Sequence, residues 1–206
     1  VLEAPIDLYQ ADFDPAVFSR ARAVAETMID RFADPARGGF FTTSHDHEEL
    51  IARRKDVGDH PIPAGSSSAA LGLLRLSSLT GEAGYRRKAE EVLRLLAPAT
   101  ARQPGAFGHL LQALDFYLSD APELAVVWGS GGNVMDAQSL IDRARTTYRP
   151  NLVVAAGPEG ADTPPLLLNR IAMDGLPAAY VCENFTCKAP VSDPAELERE
   201  LNGLNG

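Results

Sequence analysis

Apolar positions in the first half of the chain recur at three- and four-residue intervals, whereas in the second half they gather into short continuous runs. From Pro15 to Phe32, the residues Val17, Ala21, Val24, Ala25, Met28, Ile29 and Phe32 fall on one stripe. Asp14 is placed to cap and Pro15 to open the first turn, so the spacing predicts an amphipathic helix. Ser66 to Leu79 repeats the pattern with Ala69, Ala70, Leu73, Leu74 and Leu76, and Thr80-Gly81 stops it. A third helix is predicted from about Gly84 to Leu96, with Tyr85, Ala89, Val92, Leu93 and Leu96 inward. A fourth, from about Gly105 to Leu118, places Phe107, Leu110, Leu111, Leu114 and Tyr117 on one side. Short loops bearing Gly and Pro join such helices into hairpins. Between the first two, Gly39 to Thr43 and His45 to Ile51 read as short extended or turn pieces.

After Ser119-Asp120-Ala121-Pro122 the period changes. Glu123 to Gly129 and Asn151 to Gly157 are apolar runs of strand length, Ala178 to Cys182 is a third, and Met135 to Tyr148 between the first two is helical. Asp193 caps a final helix over Pro194 to Leu201. Strands alternating with helices imply a small α/β layer with parallel pairing. The expected architecture is therefore a body of α-helical hairpins over residues 1–120 followed by a small α/β domain over 121–206.

With 206 residues, 45% of them hydrophobic and 23% charged, the chain can bury one or two modest cores. A net charge of -9 disfavours nucleic acid and anionic membrane as partners. No apolar run approaches the roughly 20 residues that span a bilayer, and the first residues lack the basic and apolar regions of a signal peptide. Two cysteines fit a reducing compartment, so a cytoplasmic protein is expected. The absence of an initial Met suggests a piece of a longer chain.

Candidate chemistry concentrates between Gly38 and Leu74. Arg53, Arg54, Lys55, Asp56, Asp59 and His60 fall within eight residues, followed by the Pro-x-Pro-x-Gly-Ser-Ser-Ser turn that opens a helix. The serine hydroxyls are suited to capping that helix, and its free N–H groups favour an anion. Arg53, Lys55, Ser66 and Ser67 are the candidate ligand-binding residues. Asp56, Asp59 and Glu48 are the candidate catalytic carboxylates, since two carboxylates beside a sugar divide acid and base roles when their environments separate their pKa values. The bland reading is a salt-bridged loop that pins two hairpins together.

Other constellations are weaker. His45 and His47 would need His60 or Glu49 to make a metal site, nothing orders a third ligand, and no metal is expected. His109 reads as a partly buried hydrogen-bonding residue. Gly129-Ser130-Gly131-Gly132 stands where a dinucleotide phosphate would, but Val134 replaces the third glycine, so the glycines read as a strand-to-helix turn and no cofactor is expected. Cys182 and Cys187 are separated by four residues, short enough to bring the two thiols together, so they are either a redox pair or two thiols packing the end of a strand.

The segments GGFF, EEL, the Arg-x-Lys-Asp run, LTGE-x-x-Y, VVWG and AYVCENFTC with VSDP resemble the C-terminal part of the thioredoxin-domain-containing proteins related to spermatogenesis-associated protein 20. The resemblance covers nearly the whole chain, with CENFTC its most specific piece. It implies an N-terminal thioredoxin-like domain absent from this sequence. It also implies an (α/α)6 toroid like those of N-acylglucosamine 2-epimerases and six-hairpin glycosidases, of which these helices would be a part, and a closing α/β segment. The family's Pro-Ser-Gly-Asn-Ser falls on Pro63, Ala64, Gly65, Ser66 and Ser67, so an amide is replaced by a hydroxyl.

Two functional classes follow: a toroid acting on carbohydrate, with a sugar-like ligand in a cavity lined by the charged loop, or a non-catalytic redox or interaction module. The second would work through Cys182 and Cys187 with a thioredoxin-like domain of a longer chain. The sequence names neither a reaction nor a substrate.

Overall fold

The computed structural model describes residues 2–47, 52–119 and 121–203. Five helices come first: α1 (Glu3–Asp12), α2 (Pro15–Phe32), α3 (Gly65–Thr80), α4 (Ala83–Arg102) and α5 (Gly108–Leu118). They are followed by β1 (Glu123–Trp128), α6 (Gln138–Thr146), β2 (Val153–Pro158), β3 (Ala178–Glu183), β4 (Thr186–Cys187) and α7 (Pro194–Asn202). The described residues thus make a helical part and a small α/β layer. Two compact units emerge, one of Val1–Tyr9, Ala16–Ser77 and Glu82–Leu118, the other of Gln10–Pro15, Ser78–Gly81 and Ser119–Gly206.

In the helical unit, α2 buries Val17, Phe18, Ala21 and Ala25, but Val24, Met28, Ile29 and Phe32 of the same stripe stay half-exposed. The sequence pattern did not predict α1, whose stripe is only Ile6 and Tyr9. Leu2 just before it packs on Gly72 of α3 so closely that a Cβ there would lie 2.9 Å from the Leu2 side chain. Helix α4 runs past its expected end at Leu96 and contains Pro98. Proline withholds one N–H from the ladder, yet Leu96 and Thr100 on either side are both buried, and their packing carries the helix through. Phe107 and Leu110 are buried as expected, but Ala113 and Phe116 complete the inward face of α5, while Leu111, Leu114 and Tyr117 stay half-exposed. Tyr117 instead takes the Arg86 guanidinium at 4.5 Å over its ring, a contact made at the helix surface.

The α/β unit is built on β1, buried along its whole length, as the continuous apolar run requires of a central strand. The strand order is β2-β1-β3-β4. β1 and β2 pair in parallel from Glu123–Val153 to Trp128–Pro158, but β3 runs antiparallel to β1, which corrects the expectation of parallel pairing. The reason lies in the connection: residues 159–177 hold only the short 3-10 turn Pro165–Leu167 and no crossover helix to return the chain to the same end of the sheet. β4 is a further strand beyond those expected, closed on β3 by Asn184 and Phe185 at φ 49° and 63°, both in the left-handed region of a two-residue hairpin turn.

The 3-10 turn Val134–Ala137 that leads into α6 and the start of α7 are both capped. Asn133 Oδ1 accepts from the Met135 N–H at 2.9 Å and Asp136 Oδ2 accepts from the Asn133 N–H at 2.7 Å, a reciprocal box. A Cβ on Gly132 would lie 2.5 Å from that Asp136 oxygen, so the glycine run serves this turn. Asp193 Oδ1 accepts from Ala195 and Glu196 at the start of α7, as expected.

Gly81 ends α3 at φ +74°, and a Cβ there would stand 3.2 Å from the ring of Phe185. A left-handed non-glycine residue costs about 1–2 kcal/mol before any contact is counted. Gly81→Ala is therefore expected to destabilise by at least about 1 kcal/mol in urea titration, whereas Gly105→Ala, with open space around it, is the matched control that stays near wild type.

Candidate functional site

The loop between α2 and α3 is organised by two carboxylates. Asp34, at the end of α2, accepts through Oδ1 from Ala36 at 2.9 Å and Arg37 at 3.1 Å, and through Oδ2 from the Lys55 ammonium at 2.7 Å. The Lys55 hydrogen bond, followed by the backbone donors, holds the Asp34 carboxyl well below its ordinary value, at about 2. Lys55 also donates to the carbonyl of Gly38 and stands 5.0 Å from the centre of the Phe41 ring. Over the same ring, at 4.0 Å, lies the Arg53 guanidinium, which donates to the carbonyls of Thr43 and Arg31. Both cations lie against the Phe41 ring, and each is held by backbone carbonyls.

Asp59 is the second organiser. Its Oδ1 accepts from Ala64 at 2.9 Å, at the entry to α3, and its Oδ2 accepts from His109 at 2.9 Å and Leu110 at 3.2 Å in the first turn of α5. Burial alone would raise its pKa, but the Ala64 N–H, the Ser67 hydroxyl and the two α5 donors together bring it below the usual carboxylate range. One side chain thus satisfies orphan donors at two helix starts. The serines do not cap α3 as expected, because the helix already begins at Gly65 and they lie within its first turn. Ser66 is buried, its hydroxyl 3.5 Å from the Phe40 carbonyl; Ser67 is fully buried beside Asp59.

A cleft of about 580 Å³ brings several of the sequence candidates together: Arg53, Lys55, Asp56 and Ser66, joined by Asp34, Arg37 and Phe41. Asp59 and Ser67 are not among its lining residues, and Glu48 and Glu49 lie outside the described residues. A second cleft of about 770 Å³, mostly apolar, shares Phe41 and Asp56 and is lined by Val24, Met28 and Phe32 of α2. Opening onto it is Ser68, whose hydroxyl donates to Glu3, and the same Glu3 oxygen lies 2.8 Å from His109 Nε2. The carboxylate stands between the hydroxyl and the imidazole, so His109 does not reach the serine through this cluster. Neither Glu3 nor Ser68 was a sequence candidate; they lie 65 residues apart. Among the described residues no group of three His, Cys, Asp or Glu side chains is arranged to hold a metal ion, and Glu49, named with His45 and His47, lies outside them.

In the α/β unit, Cys182 and Cys187 are direct partners across the β3–β4 hairpin, with Cα atoms 3.9 Å apart and their sulfurs bonded. Cys182 is fully buried, while Cys187 is half-exposed. Beside them stands Glu123, buried at the start of β1 and paired with Cys182. Its Oε2 accepts from the N–H of Phe185 in the hairpin turn at 2.8 Å. Burial pushes this carboxyl up to about 7 against the opposing pull of the Phe185 N–H and the Arg170 charge. Nothing in the sequence reading singled it out; the available signal was an acidic residue at the head of a strand buried on both faces.

No family model matches the chain. It is 27% identical to human spermatogenesis-associated protein 20 and 26% identical to the mouse protein of that name, in each case over 98% of this chain. The chain spans 26% of the length of these relatives. Among the described residues, no helix is long and apolar enough to cross a membrane.

The two carboxylates with opposite shifts predict opposite pH behaviour. Asp59, lowered in the fold, contributes stability that is present above its unfolded pKa and is lost as pH falls through the folded value. Asp59→Ala leaves the donors of α3 and α5 unpaired and is expected to cost about 1–3 kcal/mol at neutral pH, while Asp56→Ala, exposed at the cleft, should stay within about 0.5 kcal/mol. Glu123, raised in the fold from 4.5 to about 7, stabilises below its unfolded value, and that contribution is lost as pH rises through 7. Denaturant melts should show a loss approaching about 3 kcal/mol across that window, and Glu123→Gln should flatten it.

Proposed function

We propose that this chain is the C-terminal part of a longer protein of the spermatogenesis-associated protein 20 type, divided near residue 120. In this reading its helices are a portion of an (α/α)6 toroid, and the helical unit binds a hydroxyl-rich, sugar-like small molecule. The observation that carries the binding role is the convergence of Arg53, Lys55, Asp56 and Ser66 with Arg37 and Phe41 on one cleft. Guanidinium forks and carboxylates are strong partners for vicinal hydroxyls, and a few convergent polar groups in an otherwise apolar wall are the usual make-up of a ligand site. Asp34, anchored as an anion by Lys55, orients the cation and is unsuited to act as a general acid. Asp59, with both oxygens occupied by helix donors, positions the loop and takes no part in chemistry. Asp56 is the described carboxylate left to face the ligand.

Calorimetric titration with a panel of neutral sugars and sugar acids is the test. Binding is expected for at least one of them, weakened about tenfold or more by Arg53→Gln or Asp56→Asn, with melting temperatures unchanged by Asp56→Asn. The reading fails if no member of the panel binds, or if both variants bind as the wild type does.

A second reading, of a redox module, is favoured by the bonded pair Cys182–Cys187. The bridge encloses only four residues in a hairpin already paired by its backbone, so it constrains the unfolded chain little and is a poor structural staple. In the reducing cytoplasm expected from the composition, such a bond would be a cycling one, exchanging with the dithiol of a thioredoxin-like domain elsewhere in the longer protein.

A further inference from the structure

The register of the sheet lines up three side chains. Glu123 on β1 is the partner of Cys182 on β3, and Cys182 is the partner of Cys187 on β4. Directly opposed residues of antiparallel strands project from the same face, with Cβ atoms about 4.5–5.5 Å apart. The carboxyl therefore stands beside the buried sulfur, and its hydrogen bond from Phe185 ties it to the turn of the disulfide hairpin.

The face is closed around it. Two residues along, Tyr180 donates its hydroxyl to the Ile171 carbonyl at 2.7 Å, and Arg170 lies 5.3 Å from the Tyr180 ring centre. Val153, the β2 partner of Glu123, is apolar, and the ring of Phe185 packs on Gly81. The charged or titratable groups facing Glu123 are thus Arg170 and Tyr180, together with the cysteine pair. Glu183 and Lys188 alternate onto the other face of the hairpin.

From this arrangement we infer that Glu123 is the proton donor for reductive opening of the Cys182–Cys187 bond by a protein dithiol, with Cys187 the sulfur attacked and Cys182 the sulfur released. The inference rests on the redox reading above. Cys187 is half-exposed and so within reach of an incoming thiolate, whereas Cys182 is enclosed. Attack forms a mixed disulfide between the partner and Cys187, and the S–S bonding pair leaves on the Cys182 sulfur. A thiolate set free in an apolar enclosure is costly. The Glu123 carboxyl hydrogen passes to it, leaving the Cys182 thiol and the Glu123 carboxylate. The partner's second thiolate then attacks its own sulfur in the mixed disulfide and releases Cys187, which is protonated from solvent. One dithiol is oxidised and one disulfide reduced, with two electrons and two protons transferred. A buried acid that titrates near neutrality fits this role.

The test measures reduction of the folded 206-residue chain by dithiothreitol without denaturant, from about pH 6 to 9, by alkylation and mass mapping. Rates are divided by the concentration of attacking thiolate. In the wild type this normalised constant is expected to be highest at low pH and to fall about tenfold or more through a bend near 7. Glu123→Gln should remove the bend, be slower by that factor at the acidic end and converge with wild type at the alkaline end. Glu123→Asp, which keeps an ionisable carboxyl, should restore a bend. A wild-type constant that is flat with pH overturns the donor role without recourse to any variant, as does a bend retained in Glu123→Gln; both leave the redox reading standing. A folded wild-type disulfide that no concentration of dithiol opens at any pH overturns the redox reading and the donor role together.

Discussion

The candidate cleft depends on the position of the loop between α2 and α3, and that loop is held at its far end by the carboxylate of Asp59. Its backbone N–H meets the Ala106 carbonyl at 2.8 Å, while its side chain takes donors from the entry of α3 and the first turn of α5. Helix starts carry unsatisfied N–H groups and a partial positive charge, so one anion placed between two of them is attracted to both. Once Asp59 is fixed, residues 53–56 are confined between it and the anchored Asp34–Lys55 pair at the near end. Arg53 and Lys55 then both fall against the ring of Phe41. The polar lining of the cleft is a consequence of this two-point tether.

The two units place an acid in opposite circumstances, Asp59 half-buried and Glu123 buried. Asp59 is surrounded by donors, so the charged form is favoured and burial is more than offset. Glu123 has one backbone donor and a more distant guanidinium, so burial prevails and the neutral form persists toward neutral pH. Environments that drive two carboxyls apart in this way distinguish a structural anion from a group able to give up a proton. The carboxylate of Asp59 in the charged loop is taken up by hydrogen bonds from two helix starts. The one with proton-transfer potential stands instead beside the only disulfide found among the described residues.

How much of this was legible in the sequence varied with the range of the interactions. Local signals served well: the period of α2 and α3, the cap at Asp193 and the continuous apolar runs of β1 and β2 all correspond to elements of the structure. α1 is not predicted because two buried residues make too short a stripe, and α4 extends beyond Leu96 through Pro98, where Leu96 and Thr100 are both buried. The direction of β3 depends on what the intervening loop fails to form, which no pattern within β3 itself encodes. At the site, the clustering of Arg53, Lys55 and Asp56 in sequence was enough to place them in one cleft. The fate of Asp59 was hidden because its α5 partners lie 50 and 51 residues away, and Glu123 gains its meaning only from the cross-strand register with Cys182.

The central claim, that the tethered loop presents a binding site in the helical unit, is tested most directly by a crystal structure of the chain soaked with the sugar that binds best in solution. The account predicts ordered sugar in the cleft between Phe41 and Ser66, with hydroxyls within hydrogen-bond distance of Arg53 and Asp56, and with the Asp59 hydrogen bonds to α3 and α5 unchanged. A cleft that stays empty at saturating sugar while the ligand orders elsewhere would contradict it.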